Sequence, residues 1–176
     1  MNPPGETAKV TILVVEHNKA VLNLVALILK DADFEVLRAR SASHAMIVEV
    51  GFHGPIHLLL SSVKFPETTG PDLAKAMLVR RPEMRVMFMS GYPDGALLVL
   101  NYGWQFIAKP FVKAALLEKV KSVLSSTTKP QGMDHFDTEK SLYYCCKGGF
   151  GPSKALMDFR RAVPLNGFWR NGIPFM

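Results

Sequence analysis

At 176 residues the chain has room for one domain and an appendage. With 48% hydrophobic and 20% charged residues it can bury a core, which excludes a wholly disordered chain. The net charge of +6 is spread along the sequence without a run of five like charges, so it gives little support to a nucleic-acid partner, and no apolar run is long enough to span a bilayer.

Val10–Val15 reads VTILVV, a β-branched run with no polar break, as a parallel strand buried on both faces requires. Asn18 can cap the next segment, in which Val21, Leu24, Val25, Ile28 and Leu29 recur at helical spacing up to about Ala32. Phe34–Ala39 predicts a second strand and Ala42–Val50 a second helix. Ile56–Val63 (IHLLLSSV) predicts a third strand with an apolar centre, Leu58–Leu60. Pro66 and Gly70 punctuate a loop, and Pro71 suits the first turn of a helix continuing over Asp72–Arg80.

Arg85–Ser90 (RVMFMS) predicts a fourth strand. Tyr92-Pro93-Asp94-Gly95 reads as a turn, and Ala96–Leu100 as a short helix. Trp104–Ala108 predicts the fifth strand, followed by Pro110 and a helix from Val112 to about Ser125. Strands alternating with helices in this way imply an α/β fold, a five-stranded parallel sheet covered on both faces, with Val14, Leu59, Phe88 and Ile107 inside. Residues 126–176 lose the pattern and read as an irregular tail. One short amphipathic helix is predicted there, Ser153–Val163, with Leu156, Phe159 and Val163 on one face.

The tail holds both cysteines, Cys145 and Cys146. Adjacent residues make a poor staple and suggest no zinc site. The opening MNPPGETAKV has no charged stretch leading into an apolar one, so the expectation is no signal peptide, no membrane partner and a cytoplasmic location. His44, His53 and His57 lack metal-ligand spacing and read as surface or strand-edge residues.

In a parallel sheet, ligand chemistry gathers at the carboxyl ends of the strands. Those ends carry Glu16-His17, Ser61-Ser62, Ser90-Gly91 and Lys109-Pro110. ILVVEHN, LLLSSVKFPETTGPDLA, MFMSGY and FIAKPF, in this order, resemble the receiver domain of bacterial response regulators, in the style of receivers from hybrid histidine kinases. The resemblance covers about Lys9–Ser125 and implies a receiver domain over 9–125, a flavodoxin-like doubly wound (βα)5 fold and the strand order 2-1-3-4-5.

The resemblance further implies a chemistry. In the family an Asp at the end of the third strand accepts a phosphoryl group. A divalent cation is held by that Asp and an acidic pair after the first strand, and a Ser or Thr and a Lys from the fourth and fifth strands contact the phosphoryl group. Here Ser90 and Lys109 match. Glu16 keeps the first acid, His17 replaces the second, and Ser62 stands at the phosphoacceptor position. Lys64 adds a cation at the rim. Magnesium requires hard oxygen ligands, so the expectation is a degenerate pocket with no metal, no cofactor and no aspartyl phosphorylation.

Lys109 is expected to pair with Glu16 in place of the lost cation. Phe106 occupies the family's aromatic-switch position and reads here as a packed ring. A His17–Ser62 hydrogen bond would raise a Ser–His nucleophile, but no G-x-S-x-G elbow surrounds Ser62. The leading reading is a non-enzymatic pseudo-receiver acting through a protein partner in a two-component phosphorelay. The alternatives are a vestigial receiver with little function, and an anion-binding or Ser/His enzyme using Ser62, Ser90 and Lys109.

Overall fold

The computed structural model of the chain describes residues 9–91 and 103–126. In order these form β1 (Thr11–Val15), α1 (Lys19–Asp31), β2 (Glu35–Ala39), α2 (Ala42–Gly51), β3 (Leu58–Ser62), α3 (Gly70–Arg80), β4 (Arg85–Ser90), β5 (Gln105–Ala108) and α4 (Lys113–Ser125). The strands make one parallel sheet in the order β2-β1-β3-β4-β5, the flavodoxin-like arrangement. The predicted helix at 96–100 and the predicted tail helix at 153–163 lie outside the described residues.

Side chains alternate across a strand, so each central strand feeds two cores. Leu13, Val15, Leu59 and Phe88 face α2 and α3, together with Leu73, Met77 and Trp104. Ile12, Val14, Leu58, Leu60 and Met87 face α1 and α4, against Leu22, Val25, Leu29, Leu116 and Val120. Every residue of β1 and β3 is buried, which is why their sequences show no polar alternation.

Capping sets the helix starts. Asn18 Oδ1 accepts from the Ala20 and Val21 N–H groups at 3.0 and 3.2 Å, and Thr69 Oγ1 accepts from the Asp72 N–H at 3.2 Å. With Thr69 as the cap, α3 starts at Gly70, two residues before the predicted Asp72. β2 begins at Glu35 and not at Phe34, because the Phe34 N–H donates to Leu29 O in the turn that closes α1. Trp104 precedes β5 and is buried against Phe88, with ring centroids 5.4 Å apart.

Ile107, expected inside, is only partly buried. β5 is the edge of the sheet, and its side chains are half covered. Phe106 is likewise partly buried, packed on the α2–α3 side.

Candidate functional site

The parallel register brings four strand ends to one edge. Val15 lies opposite Ser61, Ser62 opposite Met89, and Ser90 opposite Ala108. Glu16, Ser62, Ser90 and Lys109 therefore end adjacent strands, or follow them directly, at the carboxyl edge. The chain continues past the edge by backbone pairing: the Glu16 N–H donates to Ala39 O at 3.1 Å, and the Lys109 N–H to Ser90 O at 2.7 Å. The Lys109–Pro110 bond is cis, which the sequence could not reveal.

Glu16 is the centre of the cluster and has no solvent exposure. Its Oε1 accepts from the Asn18 N–H at 2.9 Å. Its Oε2 accepts from Ser62 Oγ at 2.5 Å and is paired with Lys109 Nζ. Lys109 Nζ also donates to Ser62 Oγ at 3.3 Å, closing a triangle of acid, hydroxyl and ammonium. Burial alone would raise the pKa of Glu16. The hydrogen bonds from Lys109, Ser62 and the Asn18 N–H, with the charge of Lys109, outweigh it and hold the carboxyl below its ordinary 4.5. Glu16 is thus a buried carboxylate.

His17 does not reach Ser62 as the nucleophile reading required. Its Nδ1 lies 3.2 Å from Glu16 Oε1, and its ring is 57% exposed, outside the triangle. The Ser62 proton goes to Glu16, and the partner base of a Ser–His pair is missing. Lys64 is exposed on the loop after β3, in an isolated bridge with Thr69. Among the described residues no group of three or more His, Cys, Asp or Glu could hold a metal ion.

Gly70 keeps that loop against the cluster. A Cβ there would sit 2.1 Å from the Ser62 carbonyl oxygen and 2.8 Å from the Phe88 ring, while the Gly70 N–H donates to Val63 O at 2.7 Å. Only glycine allows so close an approach of backbone to backbone.

A second buried ionic cluster was not anticipated. Glu49 of α2 is 1% exposed, with Arg81 Nε at 2.7 Å from Oε1 and Arg80 Nε at 3.4 Å from Oε2. The Arg81 guanidinium also donates to the carbonyls of Glu49, Phe52 and Gly54 at 3.0, 2.6 and 2.7 Å, tying the end of α3 to the end of α2. The signal was present: Ala42, Ala45 and Glu49 share one helical face, and the first two are core residues. His57, read as surface or strand-edge, is half-buried immediately before β3, where its Nδ1 accepts from the Thr11 N–H at 3.0 Å.

Residues 12–121 match the response regulator receiver domain family. The chain is 29% identical to the sensor kinase CckA of Brucella abortus over 65% of its own length and 12% of the kinase. It is 30% identical to the phosphate regulon transcriptional regulatory protein PhoB of Pseudomonas aeruginosa, over 66% of its own length and 52% of that protein. It thus spans between about an eighth and about half of these relatives. Among solved structures, the receiver domain of the hybrid histidine kinase CckA is 33% identical, with 65% of this chain and 99% of that one covered at a TM-score of 0.52. A CheY-like receiver from Methanospirillum hungatei is 28% identical, with 66% and 94% covered at a TM-score of 0.60.

Proposed function

Since this chain belongs to the response regulator receiver family, a module of two-component signalling, we propose that it serves such signalling as an atypical receiver, without aspartyl phosphorylation. It acts through contacts with a protein partner of the pathway, not as an enzyme, and needs neither a metal nor a nucleic acid or membrane surface. The module spans residues 9–125, and residues 126–176 form its tail. A cytoplasmic setting suits this role, and no helix among the described residues is long and apolar enough to cross a membrane.

One observation carries the reading: Glu16 is already satisfied by groups of the protein itself. Magnesium demands near-octahedral oxygen ligation. The pocket offers one carboxylate, with Asn18 on one oxygen and both Ser62 and Lys109 on the other. That donor set does not fit the ion. The Lys109 ammonium neutralises Glu16 in its place, and a serine stands where the acyl phosphate would form.

Incubating the chain with acetyl phosphate and magnesium, then weighing it intact, tests the proposal. The expected spectrum is unshifted, and calorimetric titration with magnesium is flat. One added phosphoryl group, removed by hydroxylamine, would overturn it.

A further inference from the structure

Helix α2 is unusual for a helix at a protein surface. Its one acidic residue, Glu49, points inward, and its solvent-facing residues are Ser43, His44, Ile47, Val50 and Gly51. Ile47 is 63% exposed and Val50 49%, three residues apart and so neighbours on one face. Surface helices normally carry charge on their outer side, and a helix apolar on both sides is ordinarily covered on both. In a chain with net charge +6 this outer face bears no Asp, Glu, Lys or Arg.

The sequence of the same chain carries a second apolar stripe. The pattern predicted for Ser153–Val163 places Leu156, Phe159 and Val163 together, with Arg160 flanking them and Lys154, Asp158 and Arg161 on the far side of the helix. We propose that this tail segment docks its Leu156–Phe159–Val163 stripe on the Ile47–Val50 face of α2 in the same molecule.

Chain length allows it and favours it over a second copy. The described chain ends at Ser126, and residues 127–152 act as the tether. A random coil of that length has a root-mean-square span of about 28 Å. The radius of gyration of a domain this size is about 13 Å, so α2 is within reach wherever α4 ends. Tethering holds the segment at an effective concentration in the millimolar range, far above that of another molecule in dilute solution. Covering an uncharged apolar patch also removes apolar area from water without stripping water from an ion. The inference is independent of the strand-end pocket.

The test uses the full chain with C145S and C146S, and a single thiol introduced by H44C, one turn before Ile47. Its reaction with a thiol reagent should be slowed about tenfold, as a docked population of roughly nine in ten produces. Adding L156D and F159D should restore the fast rate, while K154E with R161E, which adds acid elsewhere on the segment, should not. A thiol placed by L24C on α1, 53% exposed at the native residue, should react fast in all of them. Equal rates at position 44 with and without L156D and F159D would overturn the proposal, as would release by K154E with R161E. Slowing that appears only as protein concentration rises, with a dimer in sedimentation, would assign the face to a second copy and overturn docking in the same molecule.

Discussion

Ser62 donates its hydroxyl proton to Glu16 at 2.5 Å, so the side chain at the phosphoacceptor position is bonded to the one acid that remains beside it. Lys109 shares that acid. The three groups satisfy one another across β1, β3 and β5.

Removing the lysine should show how much the closure depends on it. Lys109→Met leaves the Glu16 carboxylate buried without its counter-charge. Breaking a buried pair from one side costs about 3–5 kcal/mol. The midpoint of urea denaturation should fall accordingly. Adding Glu16→Gln, which removes the uncompensated charge, should recover much of the loss. No recovery in the double variant would mean that Lys109 stabilises through something other than Glu16.

The same pair sets a pH dependence. The pKa of Glu16 is depressed in the fold below its ordinary 4.5. Between the folded and unfolded values the unfolded chain binds more protons, so stability rises with pH across that window. The contribution is complete above about pH 4.5, and it is lost as pH falls through the lower folded value. Denaturation midpoints measured downward from pH 5.5 should drop less steeply for Glu16→Gln than for the parent chain. Parallel slopes would remove Glu16 from the account.

Much of this was legible in the sequence, for physical reasons that can be named. Strands such as TILVV and LLLSS are buried on both faces, so their apolar character is continuous, and their ends fall within a residue or two of the pairing. The Lys109–Glu16 pair followed from which charges the strand ends carried. The direction of the Ser62 proton did not, because Glu16 and His17 are adjacent in sequence and only side-chain directions decide which one faces β3. Glu49 was hidden for a different reason. Its partners Arg80 and Arg81 lie about thirty residues away, on another helix and just past its end, and helical spacing says nothing about neighbours across helices. Ile107 was misjudged although the order 2-1-3-4-5 already put its strand at the edge, where one flank has no neighbouring strand and the side chains are only half covered.

Arg81 is expected to be a costly loss outside the pocket. Arg81→Ala deletes the pairing to Glu49 Oε1 and three hydrogen bonds to the carbonyls of Glu49, Phe52 and Gly54. It leaves a carboxylate that is 1% exposed with Arg80 alone, at 3.4 Å. The cost should be about 3–5 kcal/mol in urea or thermal denaturation. Arg81→Lys should recover little, since an ammonium cannot span a carboxylate and three carbonyls as the planar guanidinium does. A loss below about 1 kcal/mol, the worth of an exposed ion pair, would show that the cluster is open to water.

The last prediction concerns what would give the pocket back its metal. Ser62→Asp alone should restore little, because Lys109 remains bonded to Glu16 and position 17 still offers an imidazole where the family has its second acid. Ser62→Asp with His17→Asp puts three carboxylates at the ends of β1 and β3, where the register already brings Glu16 and Ser62 within hydrogen-bonding distance. Two added negative charges also draw Lys109 away from Glu16, which frees Glu16 Oε2 for a cation. The double variant should bind magnesium in a calorimetric titration and take one phosphoryl group from acetyl phosphate, read by intact mass and lost to hydroxylamine. Lys64 is expected to weaken the binding, because a like charge near the ion costs on the order of 1 kcal/mol or more at a protein surface. Lys64→Ala in the double variant should then tighten it. A double variant that folds, binds no magnesium and takes no label would mean that positions 16, 17 and 62 do not converge on one ion.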